Sequence, residues 1–425
     1  MIWPAPRLLW IAALIFVPAL TMADLFPAFV WPIAGLLVIV SAVVVWDGIA
    51  SLRELQSARV SAETALEWFK DRESILPIHL EANRETEIAL EMPPEIETGG
   101  PSIRVTPGAT AHLSCIPRRR GRFEVPECSL GRFSRWGTWR LRVRKPLRIA
   151  IRVYPDLNAE RGARMLLLKR FSGLRTQRMI GRGREFERLR EYLHGDSFDE
   201  IYWKATARRS KPVVKVFQIE RTQDVYAVID SSRLSGRNDA LEHFVNAALL
   251  TALAAENHGD NFGLVTFSNR VNTFVAAARG KNHFARCREA IYDVNVTPMS
   301  PDFEELFTFL QLHIRRRSLL LFLTDLSDPI LAESFARDVR VLVRRHLAVV
   351  NHLRDEAIRP LFSGSRPKSA EQVNERLAGH LQWVKQRDVE KNLNRFGVLT
   401  QTLRPETAGF DLVQQYAEIK QRQLL

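Results

Sequence analysis

The stretch VYAVIDSSRLSG, residues 225–236, joins an apolar run to an acidic residue and a small polar loop. A short apolar run containing β-branched and aromatic residues predicts a buried strand, and Asp230 is its last residue. In open α/β sheets, ligands bind where the carboxyl ends of the strands open into loops. The stretch therefore predicts a strand that carries a carboxylate to a ligand-binding edge.

The chain beyond this strand repeats the pattern. SLLLFLTDLSD, residues 318–328, is a second apolar run, and it ends at Asp325. Helical segments such as DALEHFVNAALLTALAAENHG, residues 239–259, lie between the apolar runs. Strands that alternate with helices of this length are typical of a parallel sheet covered on both faces. We predict a doubly wound α/β domain over residues 222–425.

The two acidic strand ends point to a metal site. Carboxylates on neighbouring strand ends can bind a hard cation such as Mg²⁺. The order resembles a von Willebrand factor type A domain, in which the first strand ends in Asp-x-Ser-x-Ser, a later loop adds a Thr and the fourth strand adds an Asp. Asp230, Ser232 and Asp325 match this pattern. Leu234 stands in place of the second Ser, and Ser235 follows one residue late.

The Thr of the type A pattern falls in TPMSPDFEEL, residues 297–306. Ser300 aligns best with it, and Thr297 is the alternative. Ser300 also precedes Pro301 and an acidic first turn, and this pattern predicts a helix N-cap. We favour the N-cap over a metal ligand as the role of Ser300. Because Leu234 supplies no oxygen ligand, the resemblance implies a degenerate site made of Asp230, Ser232, Ser300 and Asp325. Recognition of a partner without Mg²⁺ is the favoured interpretation.

A second resemblance covers LREYLHGDSFDEIYWKATARRSKPVVKVFQIERTQDVYAVID, residues 189–230. It is similar to the signature of the bacterial family known as domain of unknown function 58. The resemblance implies a membrane-anchored partner of MoxR-type AAA+ ATPases, which act as chaperones in the assembly or maturation of protein complexes; further type A-domain proteins are candidate partners. The signature positions in this chain include Gly195, Asp196, Trp203, Lys204 and Arg208, which are the candidate contact residues.

The signature also has an interpretation from its residues alone. Gly195 and Asp196 form a turn, and Trp203 is large enough to seal a junction between two domains. Lys204 and Arg208 would then pair with carboxylates at that junction. We favour a packed interdomain hinge, and a direct contact surface for a partner is the alternative.

The N-terminus is apolar rather than globular. Residues 8–23 carry no charge, and the run PAFVWPIAGLLVIVSAVVVW, residues 27–46, is long enough to cross a bilayer. We predict two spans within residues 1–50, although a signal cleaved near Ala23 is the competing interpretation of the first one. Arg7 and Arg53 flank the outer ends, which the positive-inside rule places in the cytoplasm. The bulk of the chain is then cytoplasmic, at a bacterial inner membrane.

Between the spans and the α/β domain we predict three segments. Residues 51–75 have helical spacing and predict a juxtamembrane helix. Residues 76–156 alternate apolar and polar positions between Pro and Gly, which predicts a small antiparallel β domain, sandwich-like, and residues 157–221 form a connector. The three cysteines have no CxxC spacing and indicate a reducing compartment, with a Cys115–Cys128 bridge as the alternative.

Charge and motifs narrow the function. The formal net charge is +13, and residues 118–152 contain twelve Arg and Lys against two Glu. We favour attraction of this charge to an anionic membrane surface, and an acidic protein partner is the second interpretation. Nucleic-acid binding ranks last, because the sequence contains no nucleic-acid-binding motif. The sequence contains no GxxxxGK[ST], HExxH or GxSxG motif. We expect a non-enzymatic adaptor; the alternative is a metal-assisted hydrolase at the membrane face that uses Asp230 and Asp325.

Overall fold

The structure is a computed structural model that describes residues 2–25, 30–157, 180–181, 185–193, 198, 201–209, 211–218, 222–363 and 369–422. The chain divides into two compact units, Met1–Asp156 and Leu157–Leu425. The first unit contains the apolar N-terminus and a β domain. The second contains the connector and the α/β domain.

The first unit begins with β1 (Ile2–Pro4), α1 (Pro6–Leu25) and α2 (Val30–Ser57). In the described part of the chain, α2 is the one helix long and apolar enough to cross a membrane. The apolar stretch of α1, Pro6–Met22, is shorter. Length and composition therefore support one membrane span, which is consistent with membrane anchoring.

The predicted juxtamembrane helix over residues 51–75 is wrong beyond Ser57, where α2 ends. Two strands follow, β2 (Arg59–Ala62) and β3 (Ala65–Phe69). In β3, exposed and buried residues alternate, as in a strand with one face against a core. Packing on that core outweighs the helix-forming composition of the segment.

The β domain consists of two sheets that share one apolar core. Its further strands are β4 (Ser74–Glu81), β5 (Thr86–Leu90), β6 (Ile96–Thr98), β7 (Ile103–Val105), β8 (Thr110–Pro117), β9 (Gly121–Phe133) and β10 (Trp139–Tyr154). The six-stranded sheet has the order β1-β10-β9-β5-β7, with β3 paired to β10, and the four-stranded sheet has the order β2-β4-β8-β6. The pairs are antiparallel except β3 with β10.

Cys115 and Cys128 are free and buried, as is Cys287 in the second unit. The alternative of a bridge between Cys115 and Cys128 is therefore wrong. Burial raises the pKa of each of the three thiols to about 11. The three cysteines are packing residues with little thiolate at neutral pH.

The connector contains β11 (Ile180–Gly181), β12 (Glu185–Glu191), α3 (Trp203–Arg209) and β13 (Val213–Gln218). The three strands form an antiparallel sheet with the order β11-β13-β12. The backbone N–H of Val213 donates to Thr206 Oγ1 at 3.1 Å, and this bond joins α3 to β13.

The α/β domain is built on a six-stranded sheet. Its strands are β14 (Asp224–Asp230), β15 (Asn261–Phe267), β16 (Val271–Ala278), β17 (Ser318–Leu323), β18 (Leu347–Leu353) and β19 (Leu399–Leu403). The order is β16-β15-β14-β17-β18-β19, and all neighbours are parallel except the edge strand β16. The strand that ends on Asp230 is thus central.

Helices cover both faces of this sheet. They are α4 (Ala240–Asn257), α5 (Lys281–Ile291), α6 (Phe303–His313), α7 (Pro329–Val343), α8 (Ala370–Arg395) and α9 (Ala408–Gln421). Along β14, Ala227 and Ile229 belong to the core cluster that contains α4 and α9 residues. Val228 belongs to the cluster that contains α6 and α7 residues. The nearly continuous apolar sequence of β14 follows from this burial on both faces.

Candidate functional site

Asp230 lies at the carboxyl edge of the sheet, beside a residue that the sequence patterns do not indicate. Ile229 pairs with Leu323, so the next residues on the two strands, Asp230 and Thr324, are neighbours. The Thr324 hydroxyl donates to Asp230 Oδ2 at 2.7 Å. In the sequence, only its position one residue before Asp325 could have indicated a role for Thr324. A single sequence does not show the register between two strands.

The second oxygen of the same carboxylate is used by its own loop. Asp230 Oδ1 accepts the backbone N–H of Ser232 at 2.8 Å. Ser232 Oγ in turn accepts the N–H of Leu234 at 3.3 Å and caps the 3₁₀ helix Arg233–Asp239. Asp230, Ser232 and Leu234 are all buried, with exposed fractions of 2% or less. The side chains of the predicted metal loop thus support the loop itself.

The electrostatics of Asp230 follow from this burial. Desolvation raises the pKa of its carboxyl group, and the nearby Asp325 raises it further. The hydrogen bonds from Thr324 and Ser232 act in the opposite direction. The sheet therefore brings Asp230 and Asp325 close enough to interact electrostatically, as the sequence predicts.

Asp325 is also engaged by its own loop. Its Oδ1 accepts the N–H of Ser327 at 2.9 Å, and its Oδ2 accepts the Ser327 hydroxyl at 3.0 Å. The two carboxylates therefore organise two separate turns, and each turn follows its own strand.

Thr297 and Ser300 lie in the loop before α6. Both the backbone N–H and the hydroxyl of Thr297 donate to the carbonyl of Ser231 at 2.8 Å. Ser300 Oγ accepts from Arg233 Nε at 2.9 Å, and an Nη of Arg233 lies 4.0 Å from Asp328 Oδ2. Arg233 thus connects the loops that follow β14 and β17 with the loop before α6.

The predicted N-cap role of Ser300 is wrong. The cap is Asp302, whose Oδ1 accepts the N–H of Glu305 at 3.0 Å, and α6 begins at Phe303. A carboxylate at the positive end of a helix is favoured both by this hydrogen bond and by the helix dipole. Pro301 therefore lies before the cap instead of in the first turn.

These residues do not fit a divalent cation. The Arg233 guanidinium is bound to Ser300, so a positive charge already lies at one predicted ligand. Leu234 provides no oxygen, and burial favours the neutral form of Asp230. In the described residues, Ser235 Oγ is buried without a partner, one position beyond the expected ligand, and no group of three His, Cys, Asp or Glu side chains is arranged for a metal ion.

His352, on β18 near the same edge, is buried and neutral. Its Nε2 lies 2.9 Å from Thr402 Oγ1 and 3.9 Å from Glu390 Oε1. Desolvation lowers its pKa to about 4, although the Asp325 carboxylate acts to raise it.

The pKa of His352 predicts a loss of stability in acid. Between pH 6.5 and 4, His352 is protonated in the unfolded chain but stays neutral in the folded chain. The free energy of unfolding therefore falls as pH falls through this window. From pH 7.5 to 4.5, we expect the wild type to lose about 2.5 kcal/mol relative to His352→Gln. Urea unfolding at both pH values measures this difference, and the control His112→Gln, which removes an exposed imidazole, follows the wild type. Equal losses in the wild type and His352→Gln would contradict the prediction.

A polar cleft of about 600 Å³ opens at the carboxyl ends of β18 and β19, between α8 and α9. Arg354, Arg359 and Arg387 line it together with Trp383. The Arg387 guanidinium lies 5.1 Å from the Trp383 ring. Among the described residues, the Arg354 and Arg359 side chains have no hydrogen-bond or ion-pair partner.

The cleft has a fixed wall where the loop after β18 meets α8. A Cβ on Gly379 would lie 2.0 Å from the carbonyl oxygen of Ala357, so only glycine allows this approach. His380 Nδ1 accepts the N–H of Leu361 at 3.3 Å and holds the same loop. The sequence alone does not indicate this cleft, because its arginines come from separate segments of the chain.

The signature residues are only partly described. Gly195 and Asp196 lie outside the described residues. Trp203 begins α3 with 67% of its surface exposed, and Lys204 and Arg208 are exposed as well.

Comparisons with known proteins agree with part of this description. Residues 188–365 match the family model described as "Protein of unknown function DUF58". A Bacillus subtilis (strain 168) protein, "Uncharacterized protein YeaD", is 30% identical over 96 residues, which cover 23% of each chain. The match thus spans less than a quarter of that relative.

Solved structures with similar parts include von Willebrand-type domains. The SpRpn10 VWA domain is 14% identical with a TM-score of 0.27, covering 46% of this chain and 95% of that domain. Proximal thread matrix protein 1 from the mussel byssus, with a zinc-occupied MIDAS motif, is 13% identical with a TM-score of 0.26, covering 47% of this chain and 44% of that protein. Similarity at this level does not identify a shared function.

Proposed function

We propose that this chain is a membrane-anchored, non-enzymatic adaptor that binds a protein partner through its α/β domain without a metal ion. The main support for this proposal is the arrangement of side chains at the carboxyl edge of the sheet. Asp230 is held by Ser232 and Thr324, and Arg233 connects the neighbouring loops. The polar groups that a type A-like domain would present to a cation are hydrogen-bonded within the protein. This supports recognition of a partner protein by side chains at the carboxyl edge of the sheet, without a metal ion.

The proposed partner is a MoxR-type AAA+ ATPase that acts in the assembly or maturation of protein complexes. The family match over residues 188–365 supports this choice together with the signature resemblance. Further type A-domain proteins are candidate members of the same assembly. The central position of β14, with its Asp at the loop, supports a type A-like, doubly wound architecture.

Membrane attachment is proposed through both apolar helices, at the inner membrane, with the β domain, the connector and the α/β domain in the cytoplasm. The hydropathy of α2 supports the anchor, and the arginines that flank α1 and the end of α2 support the orientation. A metal-assisted hydrolase that uses Asp230 and Asp325 has less support, because each carboxylate already accepts two hydrogen bonds.

The cleft lined by Arg354 and Arg359 is the proposed docking surface for an acidic segment of the partner. Guanidinium groups bind carboxylates in a planar, bidentate arrangement, and these two make no ion pair within the described residues, although Asp355, Glu390 and Asp411 line the same cleft. The rigid contact at Gly379 holds the loop that carries them.

Co-purification tests the proposal. Tagged full-length protein in detergent is incubated with the MoxR-type ATPase of the same organism, with ATP, ADP and no nucleotide. The double variant Arg354→Gln/Arg359→Gln is expected to retain about tenfold less ATPase than the wild type, because two charge-assisted contacts are lost.

The control removes the same charge at the opposite edge of the sheet. Arg315 and Arg316 are exposed just before the amino end of β17, and Arg315→Gln/Arg316→Gln is expected to bind as the wild type does. No enrichment of the ATPase in any nucleotide state would overturn the partner. Equal loss in both double variants would overturn the docking surface.

A further inference from the structure

The turn between β9 and β10, residues 134–138, which follows Phe133 at the end of β9, lies where both apolar helices join the β domain. We infer that this turn is an interfacial membrane contact, with Phe133 and Trp136 seated in the headgroup region of the bilayer that the helices enter. The inference rests on the proposed membrane anchoring and adds a second, non-helical contact with the lipid.

The start of α1 is fixed to this turn. β1 pairs antiparallel with the start of β10, with Pro4 opposite Trp139. The N–H of Ala5 then donates to the carbonyl of Thr138 at 2.9 Å. Helix α1 therefore begins directly beside the turn.

The end of the apolar part of α2 is fixed to the same turn. Trp139 Nε1 donates to the carbonyl of Val44 at 2.9 Å, and the Thr138 hydroxyl donates to Asp47 Oδ2 at 2.9 Å. A Cβ on Gly48 would lie 3.0 Å from the Trp139 ring, so the helix and the strand are in close contact. These contacts place the turn at the level where the uncharged stretch of α2 ends.

The turn is rigid, and it presents apolar side chains to the outside. Ser134 Oγ accepts the backbone N–H groups of Thr138 and Trp139, both at 3.1 Å. Gly137 has a φ of +71°, which favours glycine and closes the turn. Phe133 and Trp136 remain 56% and 50% exposed. The structure holds these two rings outward instead of folding them into the core.

The bilayer interface is the occupant that fits this surface. Trp46, on α2 beside the turn, is 63% exposed, and Trp3 on β1 is 45% exposed. Aromatic side chains concentrate at the headgroup level of membrane proteins, where they bury a ring and keep a polar edge in water. Arg7 and Arg135 are exposed at the same place and suit the phosphate groups of lipids. The four exposed rings thus lie on the elements that meet at this turn.

Spin labelling of the full-length protein in phospholipid nanodiscs tests this contact. The label is attached at Arg135→Cys, which keeps Phe133 and Trp136; the three native cysteines are buried and stay unlabelled. Relaxation by oxygen, which concentrates in hydrocarbon, is compared with relaxation by a nickel chelate, which stays in water. The oxygen-to-nickel ratio at residue 135 is expected to exceed that at Arg119→Cys about threefold.

Arg119 is the matched control because it is exposed at the other end of β9. The 13 residues of this strand separate the two sites by roughly 40 Å. Adding Trp136→Ser to Arg135→Cys is expected to lower the ratio toward that of Arg119→Cys. Equal ratios at 135 and 119, or no change with Trp136→Ser, would overturn the interfacial contact.

A label at Val38→Cys separates this inference from the proposed anchor. Val38 is 69% exposed and lies in the middle of the uncharged part of α2, which ends before Asp47. A high oxygen ratio at Val38 with a low ratio at 135 would leave the anchor standing and reject the turn. A low ratio at Val38 would reject the anchor itself.

Discussion

Asp230→Ala is expected to lower the free energy of unfolding by about 4 kcal/mol, because two buried donors lose their acceptor at about 2 kcal/mol each. The donors are the N–H of Ser232 and the hydroxyl of Thr324, both fully buried. Urea or thermal unfolding of the full-length protein in detergent measures the loss. A loss below about 1 kcal/mol would show that the carboxylate does not organise the loop.

Asp230→Asn is the matched variant, and it is expected to cost less than about 1 kcal/mol. The amide oxygen can accept from Ser232, and its NH₂ group can donate to the Thr324 hydroxyl, which then acts as the acceptor.

The Asn variant also predicts a pH dependence. Burial raises the pKa of Asp230 in the folded state, so its contribution to stability is present below the unfolded-state pKa and is lost as pH rises through the folded-state pKa. Because Asn does not titrate, Asp230→Asn becomes more stable relative to the wild type as pH rises through this window. A relative stability that falls with rising pH would contradict the prediction.

Asp260→Ala is expected to cost about 4 kcal/mol, because it leaves a largely buried ammonium group without its partner. Asp260 is 1% exposed and lies next to the amino end of β15. It accepts from Lys420 Nζ at 2.6 Å, from the Gln223 N–H at 3.1 Å and from the Tyr416 hydroxyl. The cluster joins α9 to the sheet.

The double variant Asp260→Ala/Lys420→Met is expected to recover part of this loss, since the unpaired charge is removed as well. The control is Asp388→Ala, which breaks an ion pair with Lys391 at 3.4 Å whose side chains are both more than 60% exposed. It is expected to cost less than about 1 kcal/mol. Equal losses at Asp260 and Asp388 would contradict the account of the buried cluster.

The elements with strong periodicity could be predicted from the sequence. The apolar runs before Asp230 and Asp325 are buried strands, and their ends meet at one edge of the sheet. The helix prediction fails over residues 58–75, because a helix-forming composition and a strand-forming alternation overlap there. In β3 the tertiary core decides between them.

The side-chain partners at the site could not be predicted in the same way. Thr324 reaches Asp230 only through the register of β14 against β17, which a single sequence does not reveal. Arg233 reaches Ser300 only because the 3₁₀ turn after Ser232 directs its side chain across the loops. The pattern of metal-ligand residue types therefore predicts the position of the site at the edge of the sheet. It does not predict that the guanidinium group of Arg233 binds one of the expected ligands, Ser300.

A titration of the wild-type protein with Mg²⁺, followed by thermal unfolding at constant ionic strength, tests the metal-independent account most directly. A ligand that binds only the folded state must raise stability, by about 2.7 kcal/mol at a concentration of 100 Kd. We expect the unfolding temperatures of the wild type and Asp230→Asn to stay constant from zero to millimolar Mg²⁺. A saturable rise in the wild type that is absent in Asp230→Asn would contradict the account and restore the metal site.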